Sequence, residues 1–155
     1  MLYFAACGDL TVPIDETLST ADLLILRLQG AAPAPQPASF VVSNARRTVG
    51  RLTHDDGFNT LYVELDFPAG SLEALDGSPL GPEDSLAVAV SPRGGEYGMT
   101  LSPAGLELGS GVSMSFFFGS YADPLTLGGS TSYASWAEFV NVFAVWDEVT
   151  PGLWR

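Results

Sequence analysis

His54-Asp55-Asp56 is the one place in the sequence where an imidazole and carboxylates stand together. Such groups are the material of general acid-base hydrolysis, in which histidine takes a serine proton and a carboxylate orients the ring. That chemistry needs Ser, His and Asp converging from separate elements, and no elbow motif is present to position the nucleophile. Three polar residues running into Gly57 instead predict a solvated turn, and the expected catalytic set is empty. A hydrolase using His54 with Asp55 or Asp56 stands as an alternative, and it requires His54 in a deep pocket beside a serine hydroxyl.

Metal chemistry has two possible sources. Asp55, Asp56, Asp76, Glu83 and Asp84 carry oxygens of the kind calcium takes about six to eight of, if their loops converge. No D-x-D-x-D-G run is present, and acids spread along loops predict a soluble acidic surface. Zinc needs about four ligands, which one cysteine, Cys7, and one histidine, His54, cannot supply. Neither metal nor cofactor is expected.

Aromatic residues offer a third chemistry. Tyr62, Phe117, Tyr121, Tyr133 and Trp136 facing outward would stack on sugars or dock a protein partner; facing inward, they would fill a second buried face. The run Phe116-Phe117-Phe118, apolar on both sides, favours the buried face and predicts a central or covered strand.

A chain of 155 residues suits one domain with a core of its own. The net charge is −12 and lysine is absent, which sets aside nucleic acid and anionic lipid as partners. Hydrophobic residues make up 46% and charged residues 15%, the reverse of a disordered composition. No apolar run is long enough to span a membrane as a helix.

The elements that must position these residues read as β-strands. Leu61, Val63, Leu65 and Phe67 alternate with Tyr62, Glu64 and Asp66, which predicts a half-buried strand with the first set inward. Pro68 and Gly70 then predict a sharp turn. Ala21–Leu28 reads as a buried strand, the Ala/Pro segment 31–38 as a stiff crossover between two sheets, and Phe40-Val41-Val42 as a resumed strand. Arg46–Leu52 reads as a short polar strand and Ser85–Val90 as an alternating one, with Tyr97–Leu101 returning from it across a hairpin. Asp76-Gly77 and Gly81-Pro82 predict a surface loop over 73–82. Leu106-Glu107-Leu108 and 112–118 complete the set, and a last strand is expected from Phe139 to Glu148, turning at Thr150-Pro151-Gly152 into Leu153-Trp154.

Two resemblances follow. Met1–Asp9 is short, apolar and rich in small residues before Cys7, and resembles the end of a bacterial lipoprotein signal peptide. It implies lipidation at Cys7. The missing basic region and short apolar run point to a start placed too far downstream or to a gene fragment; the other reading is a buried cysteine in an N-terminal strand.

Phe67-Pro68-Ala69-Gly70-Ser71-Leu72 resembles the proline-glycine corner of ZU5-like β-sandwich domains. Leu101–Leu108, with Pro103, Gly105 and Leu106, is similar to the family's later proline-glycine segment, and the likeness covers Tyr62 to Phe118. The resemblance implies an antiparallel β-sandwich, ZU5-like or immunoglobulin-like, in an exported protein without a cofactor. Self-cleavage at a His-Phe-Ser site is not implied, because Ser115–Ser120 contains no histidine.

The expected organisation is a remnant signal and tether over 1–20 and a single all-β sandwich over 21–155. The expected role is a non-enzymatic structural or protein-interaction domain of a cell-envelope lipoprotein, with another envelope protein as partner and membrane contact only through a lipid at Cys7. The alternative from another class is a secreted carbohydrate-binding module.

Overall fold

The computed structural model describes residues 17–19, 26–122, 148–150 and 153–154. Cys7, Tyr133 and Trp136 lie outside them, as do Leu23, Leu24 and Ile25 of the first expected strand and all but Glu148 of the last one. Regular structure in the described residues is entirely β, and every strand pairing is antiparallel. No helix among them is long and apolar enough to cross a membrane.

In chain order the strands begin with β1 (Leu18–Ser19), β2 (Ala38–Ser43), β3 (Thr48–Thr53) and β4 (Leu61–Phe67). Then come β5 (Leu72–Leu75), β6 (Ser78–Pro79), β7 (Ser85–Pro92) and β8 (Met99–Ser102). The last are β9 (Leu106–Leu108), β10 (Ser113–Phe116), β11 (Glu148–Thr150) and β12 (Leu153–Trp154).

The described residues fall into two compact units. The smaller holds one three-stranded sheet in the order β1-β12-β11, with Thr150 paired to Leu153 as the Thr-Pro-Gly turn signal predicts. The larger, residues 26–122, holds three sheets in the orders β10-β4-β3, β2-β7-β8 and β6-β5-β9.

These three sheets share one core. Val42 of β2, Leu52 of β3, Val63, Leu65 and Phe67 of β4, Leu72 of β5 and Val88 and Val90 of β7 form a single buried cluster, together with Tyr62. Burying such apolar side chains is the main force that holds the sheets together. The sheets approach closely at Gly50, where the Phe40 ring occupies the space a Cβ would need. Phe40 also meets the Phe67 ring at 5.9 Å. Beyond Phe67 the chain turns as expected, with Gly70 at φ 76° and Ser71 N–H donating to Pro68 O at 3.2 Å.

Several expectations need correcting. Residues 73–82 are not an open loop. Asp76 and Gly77, at φ 50° and 74°, make a tight turn between β5 and β6, the backbone geometry that favours two-residue hairpins. Of Ala21–Leu28, Arg27 and Leu28 make only isolated bridges, to Glu96 and Ala122. The Ala/Pro segment lies along Thr53–Asp55: Gln36 N–H donates to Thr53 O at 2.9 Å and Asp55 N–H to Ala34 O at 3.0 Å. The Phe116 strand, expected to be central or covered, is β10, and it is not central: it stands at the edge of its sheet among the described residues.

Tyr62 is the largest departure. Alternation sets it on the face opposite Val63, Leu65 and Phe67, yet it is fully buried in the same core cluster. The register between β3 and β4 shifts there: Leu52 pairs with Val63 and Thr53 with Leu61, so Tyr62 is the extra residue of a bulge. A bulge breaks the period-2 alternation and re-aims the side chain.

Candidate functional site

His54 closes β3's end of its sheet and is only 2% exposed, so it does not sit on a solvated turn. Its backbone N–H donates to Thr60 O at 2.8 Å. Its Nδ1 lies 2.7 Å from Pro33 O; a carbonyl can only accept, so Nδ1 carries the proton in this contact. Nε2 is buried and has no hydrogen-bond partner among the described residues. No serine hydroxyl is among the ring's hydrogen-bond partners. Tyr121 packs on the ring at 4.5 Å, and Tyr62 meets it edge-on at 5.5 Å and 88°.

Tyr62 carries the cluster inward. It stacks with Tyr97 at 5.2 Å and meets Phe116 at 5.8 Å in a T-shaped contact. Its hydroxyl accepts Gly98 N–H at 2.8 Å and has the Glu96 and Gly98 carbonyls, each at 2.9 Å, for its own proton. Burial is the largest influence on this phenol and pushes its pKa up to about 12. Tyr97 is pushed up as well, first by burial and then by its neighbour Tyr62, and its hydroxyl lacks a partner among the described residues.

Asp56 braces the loop that leaves His54. Its Oδ1 accepts Phe58 N–H at 2.8 Å and Thr60 N–H at 3.3 Å, and its Oδ2 accepts the Tyr121 hydroxyl at 3.0 Å. Hydrogen bonds from the Thr60 hydroxyl first, then from Phe58 N–H and Tyr121, hold this carboxyl well below the ordinary carboxylate range. The same bond to Asp56 raises the Tyr121 phenol. At the apex Gly57 and Asn59 take φ 74° and 55°, and Phe58 between them is 87% exposed.

Two of the other acids have turn roles. Asp84 Oδ2 accepts Gly81 N–H at 2.7 Å, and Asp76 occupies the β5–β6 turn, its N–H donating to Gly105 O at 2.9 Å. The described residues contain no group of three or more His, Cys, Asp or Glu side chains placed to hold a metal ion. Of the five aromatic candidates, Tyr62 is buried, Tyr121 is half-buried on His54 and Phe117 is exposed. Of the motif residues, Phe67 and Leu72 are core, Pro68 and Gly70 form the turn, Pro103 and Leu106 are half-buried, and Gly105 has φ 74°.

Sequence reasoning missed Asn44 and Phe58. The Asn44 side chain reaches the backbone of Leu72 and Gly81, a contact no local pattern announces. Phe58 was legible, since a bulky residue flanked by Gly and Asn in a turn is presented to solvent. In comparisons with known proteins the chain matches no family model, no curated protein and no solved structure.

Proposed function

We propose that the chain is a non-enzymatic structural or protein-interaction domain of a bacterial cell-envelope lipoprotein, exported and anchored through Cys7. Its antiparallel sheets are read as a β-sandwich of ZU5-like or immunoglobulin-like kind, a reading supported by the single core that three sheets share. The partner is another envelope protein.

The observation that carries the non-catalytic reading is the placement of His54. Its ring is buried between Tyr62 and Tyr121 with Nδ1 committed to a backbone carbonyl, which is a packing role. The exported and lipidated part rests on the Met1–Asp9 pattern. The sugar-binding alternative loses support from the burial of Tyr62, because stacking on a sugar needs an open ring face.

The test is expression of the natural gene, with its upstream sequence, in a bacterial host. The expected protein partitions with membranes and yields an N-terminal peptide carrying a diacylglyceryl thioether on Cys7, and Cys7→Ser releases it. Recovery as a soluble protein with unmodified Cys7 overturns the anchor.

A further inference from the structure

We infer that the open edge of β10 is a self-association surface, on which a second copy of this chain adds its own β10 antiparallel across a two-fold axis. Three observations carry it.

The first is a ladder with no partner strand among the described residues. Phe117 N–H donates to Tyr62 O at 2.9 Å, so it faces β4. Amides alternate sides along a strand, which turns Ser113 and Ser115 N–H toward β4 and Met114 and Phe116 N–H toward the open edge. No described strand lies beyond that edge.

The second is an uncovered rim of the core. Five large apolar side chains are exposed among the described residues: Val41, Val49, Phe58, Met114 and Phe117. Of these, Met114 pairs in register with a core residue, Leu65, and is nonetheless 42% exposed. One more strand beside β10 would cover it.

The third identifies the occupant as a second copy. A chain of net charge −12 repels itself unless the meeting surfaces are neutral. No charged residue lies between Glu107 and Asp123, and the acids nearest on β4 are neutralised, Asp66 by Arg47 at 2.6 Å and Glu64 by Arg51 at 2.7 Å. The edge also lacks the charges, prolines and bulges that protect exposed strands. With Ser115 facing its own copy, Met114 of one chain meets Phe116 of the other in both halves. Those are the residues whose amides point outward, so the ladder and the apolar contacts close together. A two-fold pairing uses both edges and stops at a dimer.

The inference adds a self-contact to the protein-interaction reading, distinct from the contact with another envelope protein, and its test is separate from lipidation at Cys7. Sedimentation of the 155-residue chain over a concentration series should show the mass rising from 16.3 kDa to twice that and no further. Met114→Lys, which places a charge on the edge, and Met114→Pro, which removes an outward N–H without touching the β4 ladder, should each weaken the dimer by about tenfold or more. Hydrogen exchange on the unmodified chain should show Met114 and Phe116 amides gaining protection with concentration. A monomer at every concentration, growth beyond the dimer, or a dimer whose Met114 and Phe116 amides gain no protection overturns the inference.

Discussion

Asn44 pairs with the backbone of Leu72 as one strand residue pairs with another: its Nδ2–H donates to Leu72 O at 2.8 Å and its Oδ1 accepts Leu72 N–H at 2.8 Å. The second Nδ2 hydrogen serves Gly81 O at 2.9 Å. One buried side chain at the end of β2 therefore satisfies the first residue of β5 and the loop that follows β6. Backbone groups buried without partners are expensive, which gives this contact its weight.

Asn44→Ala leaves three backbone groups without their partner, and should destabilise the larger unit by about 3 kcal/mol. Asn44→Asp keeps the acceptor, removes both donors and sets a buried carboxylate oxygen against the Leu72 and Gly81 carbonyls, so it should cost at least as much as Asn44→Ala. Urea unfolding midpoints of the three proteins check this order.

Gly50→Ala should also be destabilising, by about 1–3 kcal/mol, because the new Cβ enters the space of the Phe40 ring. If that overlap is the cause, Phe40→Leu combined with Gly50→Ala costs less than the sum of the two single changes. A double-mutant cycle reads the difference.

Tyr62 ties the fold to alkaline pH. Burial favours the neutral phenol, and the folded pKa lies near 12 against an ordinary value of 10. Its contribution is complete below about pH 10 and is lost as pH rises toward the folded value. Tyr62→Phe leaves Gly98 N–H without its acceptor, and should cost about 1–2 kcal/mol at neutral pH. The variant should lose stability less steeply above about pH 10, with Tyr97 supplying the remainder. Thermal unfolding across that range measures both effects.

Asp56 acts at the other end of the scale. Its carboxyl is held below the ordinary range in the folded state, so its contribution is present above about pH 4 and is lost as pH falls below that. Asp56→Asn should be less stable than the parent at neutral pH and should lose less on acidification. Equal acid sensitivity in the two proteins would count against the bracing role assigned to the Phe58 N–H and Tyr121 bonds.

Much of β4 was legible because alternation is a local property. Val63, Leu65 and Phe67 are buried as their spacing predicts, and Pro68 with Gly70 ends the strand as their backbone restrictions require. The hairpin joining β7 to β8 was legible for the same reason, with Arg93 N–H donating to Gly98 O at 2.8 Å across its glycine-rich turn. Tyr62 was not legible. Its burial follows from a register shift between two strands, and register is a relation between segments.

His54 shows the same limit at the candidate site. Its polar neighbours Asp55 and Asp56 predict a solvated turn, but Pro33, 21 residues earlier, supplies the carbonyl that holds Nδ1, and Tyr121 supplies a packing ring. The sequence by itself determined an acidic, turn-rich β chain, where its strands stop and which of their side chains alternate, because those properties depend on each residue and its near neighbours. Only the tertiary structure decided that Tyr62 and His54 are interior, that Asn44 joins β2 to β5 and that β10 ends its sheet among the described residues, because burial and pairing arise when distant segments compete for the same partners.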